Sequence, residues 1–422
     1  MGQGKILKNL RQKNKMSQEE IAKSIVSTSY LSRIENGKID ANEETMALLF
    51  ERVGVDYFNQ QSEDSTIQKL LREWEAPLLD NDKNCTRKTF EALEPLLSEM
   101  TPLPLQLEFH VKRIRYFLIH PDSEKARESV DFSEEFAEQL DSRLRFLFHK
   151  HIGNYYWMMT SDLGSSEYHF DKAMLEYSGV HFHELEKADL HFLYSLVLYS
   201  QKKESLCFYN AEEALRIFQS HYRPKQCMKV HIQLGICHSR VGDFPTCRSH
   251  YEKARGLAEF LEDSKHLGII EHNFANMYVR MQDYERAIGH LKEALKQKEE
   301  KTESFAHSFV LLLEVHYEKN EYATCRELLS EYDTLMEDLP DRLTPVQEMK
   351  FFHHFLIFPK EEWEPFMEKT FFPQLEENRD SRKVMKYAKI LADYYETKGF
   401  YKKASHYYRL ALRNSEHVIG YR

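Results

Sequence analysis

Glycine and proline are scarce in this chain, 14 and 12 among 422 residues. Both punctuate turns and interrupt helices, so their scarcity predicts few turns and long helices. No apolar run reaches the length a membrane-crossing helix needs. The start, Met-Gly-Gln-Gly-Lys-Ile-Leu-Lys, lacks the apolar stretch of a signal peptide. Met1-Gly2 opens like a myristoylation site, but Leu7 stands where such a site needs a hydroxyl. These absences predict a cytoplasmic protein with no membrane partner. The six cysteines form no Cys-x-x-Cys pair, and Cys227, Cys237 and Cys247 are ten residues apart, outside the usual zinc spacings. They read as reduced thiols at small-residue positions of helices. The 21 histidines include no His-Glu-x-x-His. The nearest candidates are His181 with His183 and the adjacent pair His353-His354, and neighbours on a helix point in different directions. A Gly-rich phosphate loop and a Gly-x-Ser-x-Gly elbow are also missing. The expectation is therefore no metal, no cofactor, no catalytic residue and no independent enzyme.

A second deficit is positive charge, since the net charge is −10. Its distribution is uneven. Residues 1–38 carry eight basic side chains (Lys5, Lys8, Arg11, Lys13, Lys15, Lys23, Arg33, Lys38) against Glu19, Glu20 and Glu35, a local charge of +5, which leaves −15 on the rest. Attraction to phosphate is local at physiological salt, where the field decays over roughly 8 Å. A basic N-terminal unit on an acidic body can thus bind DNA while the body discourages non-specific contact.

That unit has an ordered pattern of starts and stops. Ile6, Leu7 and Leu10 give a first helix its apolar stripe, with Lys5, Lys8 and Arg11 on the polar side. Ser17 and Glu20 have the spacing of a capping box. Ile21, Ala22 and Ile25 form the buried face of a second helix. Residues 27–29 (Ser-Thr-Ser) offer caps for a third, which carries Leu31 and Ile34 inward and stops at Asn36-Gly37. A further helix runs from Asn42 to Val53 and closes at Gly54. In a helix-turn-helix the N-terminal end of the second helix of the pair enters the major groove. Here that end is Ser27, Thr28, Ser29 and Tyr30, with Arg33 one turn on, Gln18 placed for a phosphate, and Lys38 in the basic set beyond. These seven are the candidate DNA-binding residues.

From about residue 62 the chain alternates helical segments with short polar breaks. The breaks share a small or acidic residue, an aromatic, and a small residue three places later. Asp243-Phe244 precedes Cys247, Asp283-Tyr284 precedes Ala287, Glu321-Tyr322 precedes Cys325, and Gly399-Phe400-Tyr401 precedes Ala404. Phe170 with Ala173 and Phe208 with Ala211 fit more loosely. The aromatics recur at 170, 208, 244, 284, 322 and 401, the last interval spanning two steps. Such a period marks a solenoid of helix pairs. Phe274-Ala275, Tyr278 and Ala294 occupy tetratricopeptide-type positions, as do Leu234-Gly235 and Leu391-Ala392. Small residues let helices approach, and the aromatic is expected to fill the gap between repeats. The expectation is an all-α chain: a helix-turn-helix domain over residues 1–58, a polar linker over 59–65, and a right-handed tetratricopeptide-type solenoid of about nine pairs over 66–422. A concave solenoid face suits a peptide. Asn154, His272, Asn273, Asn276, Glu314 and Asp393 are the candidate peptide-binding residues. An asparagine there can both donate to and accept from an extended backbone.

The stretch Met16-Ser17-Gln18-Glu19-Glu20-Ile21-Ala22 with Tyr30-Leu31-Ser32-Arg33-Ile34-Glu35-Asn36-Gly37 resembles the lambda-repressor-like (Cro/C1, XRE-type) domains. Ile25-Val26 makes a turn one residue shorter than many members have, similar to peptide-controlled regulators of Gram-positive bacteria. Joined to the repeat array, it resembles over the whole chain the RRNPP family of quorum-sensing regulators, most like the NprR branch. The resemblance implies a cytoplasmic transcription regulator that forms a homodimer or higher oligomer. It implies a short signalling peptide in the repeat groove and a double-stranded DNA operator read by paired helix-turn-helix units. Two other readings are carried with it. One is a Rap-like activity that binds and dephosphorylates a sporulation response regulator, for which Gln68 and Gln106 lie in the relevant region. The other is a peptide-controlled regulator of phage lysis and lysogeny.

Overall fold

The computed structural model describes residues 3–98, 101–177, 184–331, 339–340, 343–358, 360–377 and 381–419. Among these every regular element is helical. His181 and His183, singled out above, lie outside the described residues, as do Met1 and Gly2. The chain packs as two compact units, Met1–Cys237 and His238–Arg422.

The first unit begins with four short helices, α1 (Gln3–Lys13), α2 (Gln18–Ala22), α3 (Thr28–Glu35) and α4 (Glu43–Arg52). They close around Ile6, Leu7, Ile21, Ala22, Leu31, Ile34, Met46, Leu49, Phe50, Val53 and Tyr57. The starts come from the local chemistry read above. Ser17 Oγ accepts from the Glu20 amide at 3.1 Å, and Glu20 Oε2 accepts from the Ser17 amide at 2.6 Å. Ser27 Oγ takes the Tyr30 amide at 3.2 Å, and Asn42 Oδ1 takes the Thr45 amide at 2.9 Å. Asn36 ends α3, and Gly37 follows at φ +67°, a left-handed conformation that glycine adopts without strain. The second helix is shorter than expected. It stops at Ala22, so Ile25 falls in the connection and is only half-buried.

The polar run 59–65, expected to be a linker, is helical and lies inside α5 (Tyr57–Asp80). One helix thus joins two cores. Its first residue, Tyr57, is buried with the helix-turn-helix residues, and its hydroxyl donates to Gln3 Oε1 at 2.7 Å. Farther on, Ile67, Leu71, Trp74 and Leu78 form the i, i+4, i+7 stripe that enters the repeat core. Between the stripes the helix is polar because its side chains there meet water.

The rest of the first unit consists of antiparallel helix pairs: α5 with Lys83–Leu93, Leu103–Ile119 with Ser123–Glu135, Ser142–Tyr155 with Leu163–Tyr177, and Glu184–Ser200 with Glu204–Ser220. Pro224–Val241 follows. The second unit holds Phe244–Phe260, then Ser264–Arg280 with Tyr284–Gln297, Glu303–Glu318 with Tyr322–Glu331, Thr344–Ile357 with the segments Lys360–Phe366 and Phe372–Glu377, and Ser381–Thr397 with Tyr401–Ile419. This is the tetratricopeptide-type architecture the period predicts. The small residues sit where helices touch: Cys247, Ala287, Cys325 and Ala404 are all buried, as are Ala275, Ala294 and Ala392. The acidic residue of the break is a helix cap, Asp243 accepting from the Thr246 amide and Asp283 from the Arg286 amide. The aromatic packs as expected at Phe170, which is fully buried against Gly153, and does less elsewhere. Tyr322 and Tyr401 are exposed and Phe244 and Tyr284 only half-buried, so close packing rests on the small residue rather than on the ring.

Candidate nucleic-acid interface and ligand-facing residues

The N-terminal end of α3 is presented to solvent. Ser27, Thr28, Ser29 and Arg33 are exposed, and Tyr30 is half-buried against the small core. Lys38 is exposed beyond the helix stop. A seryl cap and an arginine one turn later suit contacts to phosphate and base edges. The helix is held from behind by close packing and by charge. Gly4 of α1 lies so near α3 that a Cβ there would come within 1.9 Å of the Ile34 carbonyl oxygen.

The charge is the buried carboxylate of Glu35, 1 % exposed. Arg11 meets it with Nε at 2.6 Å and Nη2 at 3.0 Å, and Gln18 Nε2 donates to the same carboxylate at 2.7 Å. Arg11 Nη1 also donates to the Met16 carbonyl at 3.1 Å. The hydrogen bond to Glu35 raises the Arg11 pKa further, against a smaller opposing effect of burial. Two expectations are corrected here. Arg11 belongs to the interior as much as to the polar face of α1, and its charge is spent on Glu35, a pair that already cancels within the net +5. One N–H of Gln18 is committed to Glu35, which fixes the amide at the start of α2. Arg52 supports the other end of that helix, donating to the Glu20 and Lys23 carbonyls at 3.1 and 3.3 Å.

The six candidate ligand-facing residues have different surroundings. In the first unit Asn154 is fully buried, and its amide nitrogen and oxygen meet no partner among the described residues. It lies one turn beyond Lys150, whose ammonium is itself 1 % exposed and bonds Asp189 at 2.9 Å and Glu186. Burial would raise the Asp189 carboxyl, but the charges of Lys150 and Arg115 outweigh it and hold the group below its ordinary value. Asn154 is thus enclosed rather than open to solvent, with its amide unspent among the described residues.

In the second unit His272, Asn273 and Asn276 lie on Ser264–Arg280 and are half-buried. Asn276 Nδ2 donates to the His272 carbonyl at 3.3 Å. His272 Nδ1 lies 3.0 Å from Ser308 Oγ. Burial pushes the imidazole down to about 3, with help from the charges of Lys298, His307 and Lys383. Glu314 is buried, accepts the Tyr387 hydroxyl at 2.9 Å and pairs with Lys386. The same hydroxyl lies 2.8 Å from Glu348, which is fully buried and paired with Lys383. Burial raises the Glu348 carboxyl despite that lysine. Asp393 is exposed and accepts the Tyr408 hydroxyl of the next helix at 2.6 Å. Lys298, Ser308, Glu348 and Tyr387 escaped the sequence reading, because nothing in their local pattern distinguishes them from an ordinary helix face. The adjacent His353 and His354 diverge as expected, with ring centroids 6.1 Å apart and His354 stacked on Phe366.

Gln106, weighed for a phosphatase role, spends its amide on the Thr101 carbonyl at 2.6 Å, and Gln68 is exposed on α5. No helix among the described residues is long and apolar enough to cross a membrane.

A helix-turn-helix family model matches residues 7–57, and a tetratricopeptide-repeat model matches residues 226–300. The chain is 28 % identical over 411 residues to the transcriptional activator NprA of Geobacillus stearothermophilus, which covers 95 % of this chain and all of that one. It is 29 % identical over 121 residues to response regulator aspartate phosphatase H of Bacillus subtilis (strain 168), covering 28 % of this chain and 32 % of that protein. Its fold matches the apo form of the quorum sensor NprR from B. thuringiensis with a TM-score of 0.69 at 14 % identity, over 83 % of this chain and 99 % of that one.

Proposed function

The chain belongs to the RRNPP family of helix-turn-helix and tetratricopeptide-repeat regulators, and from that premise we propose that it is a cytoplasmic, peptide-responsive transcription regulator. Residues 1–58 act as the DNA-binding domain and the repeats as the sensor. Two copies, one per subunit of a homodimer or higher oligomer, read an operator through Ser27, Thr28, Ser29, Tyr30 and Arg33, with Gln18 and Lys38 on the backbone. A short signalling peptide lies on the repeats of the second unit, near His272, Asn273, Asn276, Glu314 and Asp393; Asn154, fully buried in the first unit, is left out of its contacts.

The observation that carries the reading is the exposed end of α3 over its Arg11–Glu35–Gln18 support. It stands at the head of a chain that aligns from end to end with a transcriptional activator. For the peptide to control DNA binding it must bind one conformation of the repeats better than another; equal affinity for both transmits nothing. Selection of duplexes from a random double-stranded library tests the DNA half. The wild type is expected to enrich an inverted repeat, and Arg33→Ala to bind it at least tenfold more weakly. Enrichment of no sequence would contradict it.

The phosphatase reading keeps one supporting observation, the partial match to a response regulator aspartate phosphatase. Its coverage of about a third of that protein, and the engaged amide of Gln106, favour the regulator. Incubation with a phosphorylated response regulator decides the matter, since an accelerated loss of phosphate would establish the second activity.

A further inference from the structure

Several cations of the second unit meet a carboxylate. Lys383 pairs with Glu348, Lys386 with Glu314, Lys403 with Glu364, and Arg255 with Glu271 at 3.4 Å. Lys298 differs. It is half-buried at the end of Tyr284–Gln297, and Nζ donates to two neutral oxygens, Ser308 Oγ at 2.6 Å and the Ser304 carbonyl at 2.9 Å. No carboxylate is within ion-pair reach among the described residues. An ammonium has three donors, so one is left over. The stem of the lysine runs close over a glycine. Gly268 faces its stem, and a Cβ there would lie 2.8 Å from Lys298 Cγ.

The nearest charged neighbours, Lys383 and His307, already have carboxylates of their own, Glu348 and, at 3.7 Å, Glu303. His272 shares Ser308 Oγ with Lys298, and the charges of His307 and Lys383 reach His272 as well. His307 is exposed and Lys383 partly so. A half-buried charge without a counter-charge is costly. Burial accordingly lowers the Lys298 pKa to about 8. An arriving anion would recover that cost and add a charge-assisted hydrogen bond.

We propose that Lys298, with Ser308 and His272 beside it, forms a subsite for a carboxylate of the bound peptide. The inference rests on the peptide-sensing reading above and adds the chemistry of one ligand group. The carboxylate comes either from the peptide's C-terminus or from an Asp or Glu side chain. A single ammonium with one donor to spare suits a single carboxylate oxygen. His272, one of the residues assigned to the ligand from sequence, lines the same spot.

The test uses the full chain and a random heptapeptide library in two forms, free acid and C-terminal carboxamide. Bound peptides are recovered and identified by mass spectrometry. The wild type is expected to enrich carboxylate-bearing peptides at least tenfold. A C-terminal source shows as loss of binding in the carboxamide form. A side-chain source shows as enriched Asp or Glu at one position in both forms. Lys298→Met is expected to lose the preference, and Lys298→Arg to keep it. Lys298→Met should also melt no lower than the wild type, because it removes an uncompensated charge; a fall in melting temperature would count against the assigned environment. Equal wild-type enrichment of carboxamide peptides lacking Asp and Glu would overturn the subsite and leave peptide sensing in place. Enrichment of no peptide at all would overturn both.

Discussion

Replacing Arg11 with methionine removes the main partner of a carboxylate that is 1 % exposed. Glu35 would keep only the Gln18 amide at 2.7 Å. Breaking a buried ion pair from one side costs about 3–5 kcal/mol, because a charge is left buried without compensation. Arg11 itself is 12 % exposed, and Gln18 remains, so the lower end, about 3 kcal/mol, is the better figure. Hydrogen exchange of the α3 amides measures it. At about 1.4 kcal/mol per factor of ten, protection should fall about 100-fold. Arg11→Met with Glu35→Met should recover most of the loss, since a buried pair exchanged for apolar groups is often neutral. A loss of protection under fivefold would refute the argument that this pair holds α3.

Lys150→Met leaves the half-buried Glu186 without its cation and the buried Asp189 with only Arg115 at 3.7 Å, and should cost about 3 kcal/mol in chemical unfolding. In the wild type the depressed Asp189 carboxyl contributes stability above its unfolded pKa, and that contribution fades as pH falls through the folded value. His149 and His169 lie 3.0 Å apart, and burial first, then neighbouring positive charge, lowers each to about 4. Both are neutral in the fold where the unfolded chain is already protonated, so stability should decline between about pH 6.5 and 4. His169→Phe should flatten that decline in thermal melts taken across the range. Gly4→Ala places a Cβ 1.9 Å from the Ile34 carbonyl oxygen, so α1 and α3 must part. Overpacking of this kind costs about 1–3 kcal/mol, and weaker binding to the selected duplex should accompany it.

What was legible in the sequence was local. Ser17 with Glu20, Ser27 before Tyr30, and Asn36-Gly37 each encode a start or stop within four residues, and each is found. The repeat period was legible because a small buried residue recurs at one position of the pair, at Ala173, Ala211, Cys247, Ala287, Cys325 and Ala404. Contacts made across the fold were not. Glu35 and Arg11 are 24 residues apart, and Glu348 and Tyr387 are 39 apart, so no window on the chain unites them. The polar run 59–65 looked like a linker because its composition is that of exposed helix and exposed loop alike. What marks it as helix is the apolar stripe that continues beyond it, Ile67, Leu71, Trp74 and Leu78. The repeat turns were also partly hidden. Left-handed residues occur at Gly242 and Gly399, but also at Lys202, Tyr222, Glu262, Gln282 and Asn320, where no glycine signals them.

The central claim is that a peptide on the repeats changes what the N-terminal domain does on DNA. The most direct test is the affinity of the full chain for its selected duplex, measured with and without a saturating library-selected peptide. A change of at least fivefold is predicted, equivalent to about 1 kcal/mol of coupling, with the same factor when peptide affinity is measured with and without DNA. Equal DNA affinity in both conditions would contradict the account.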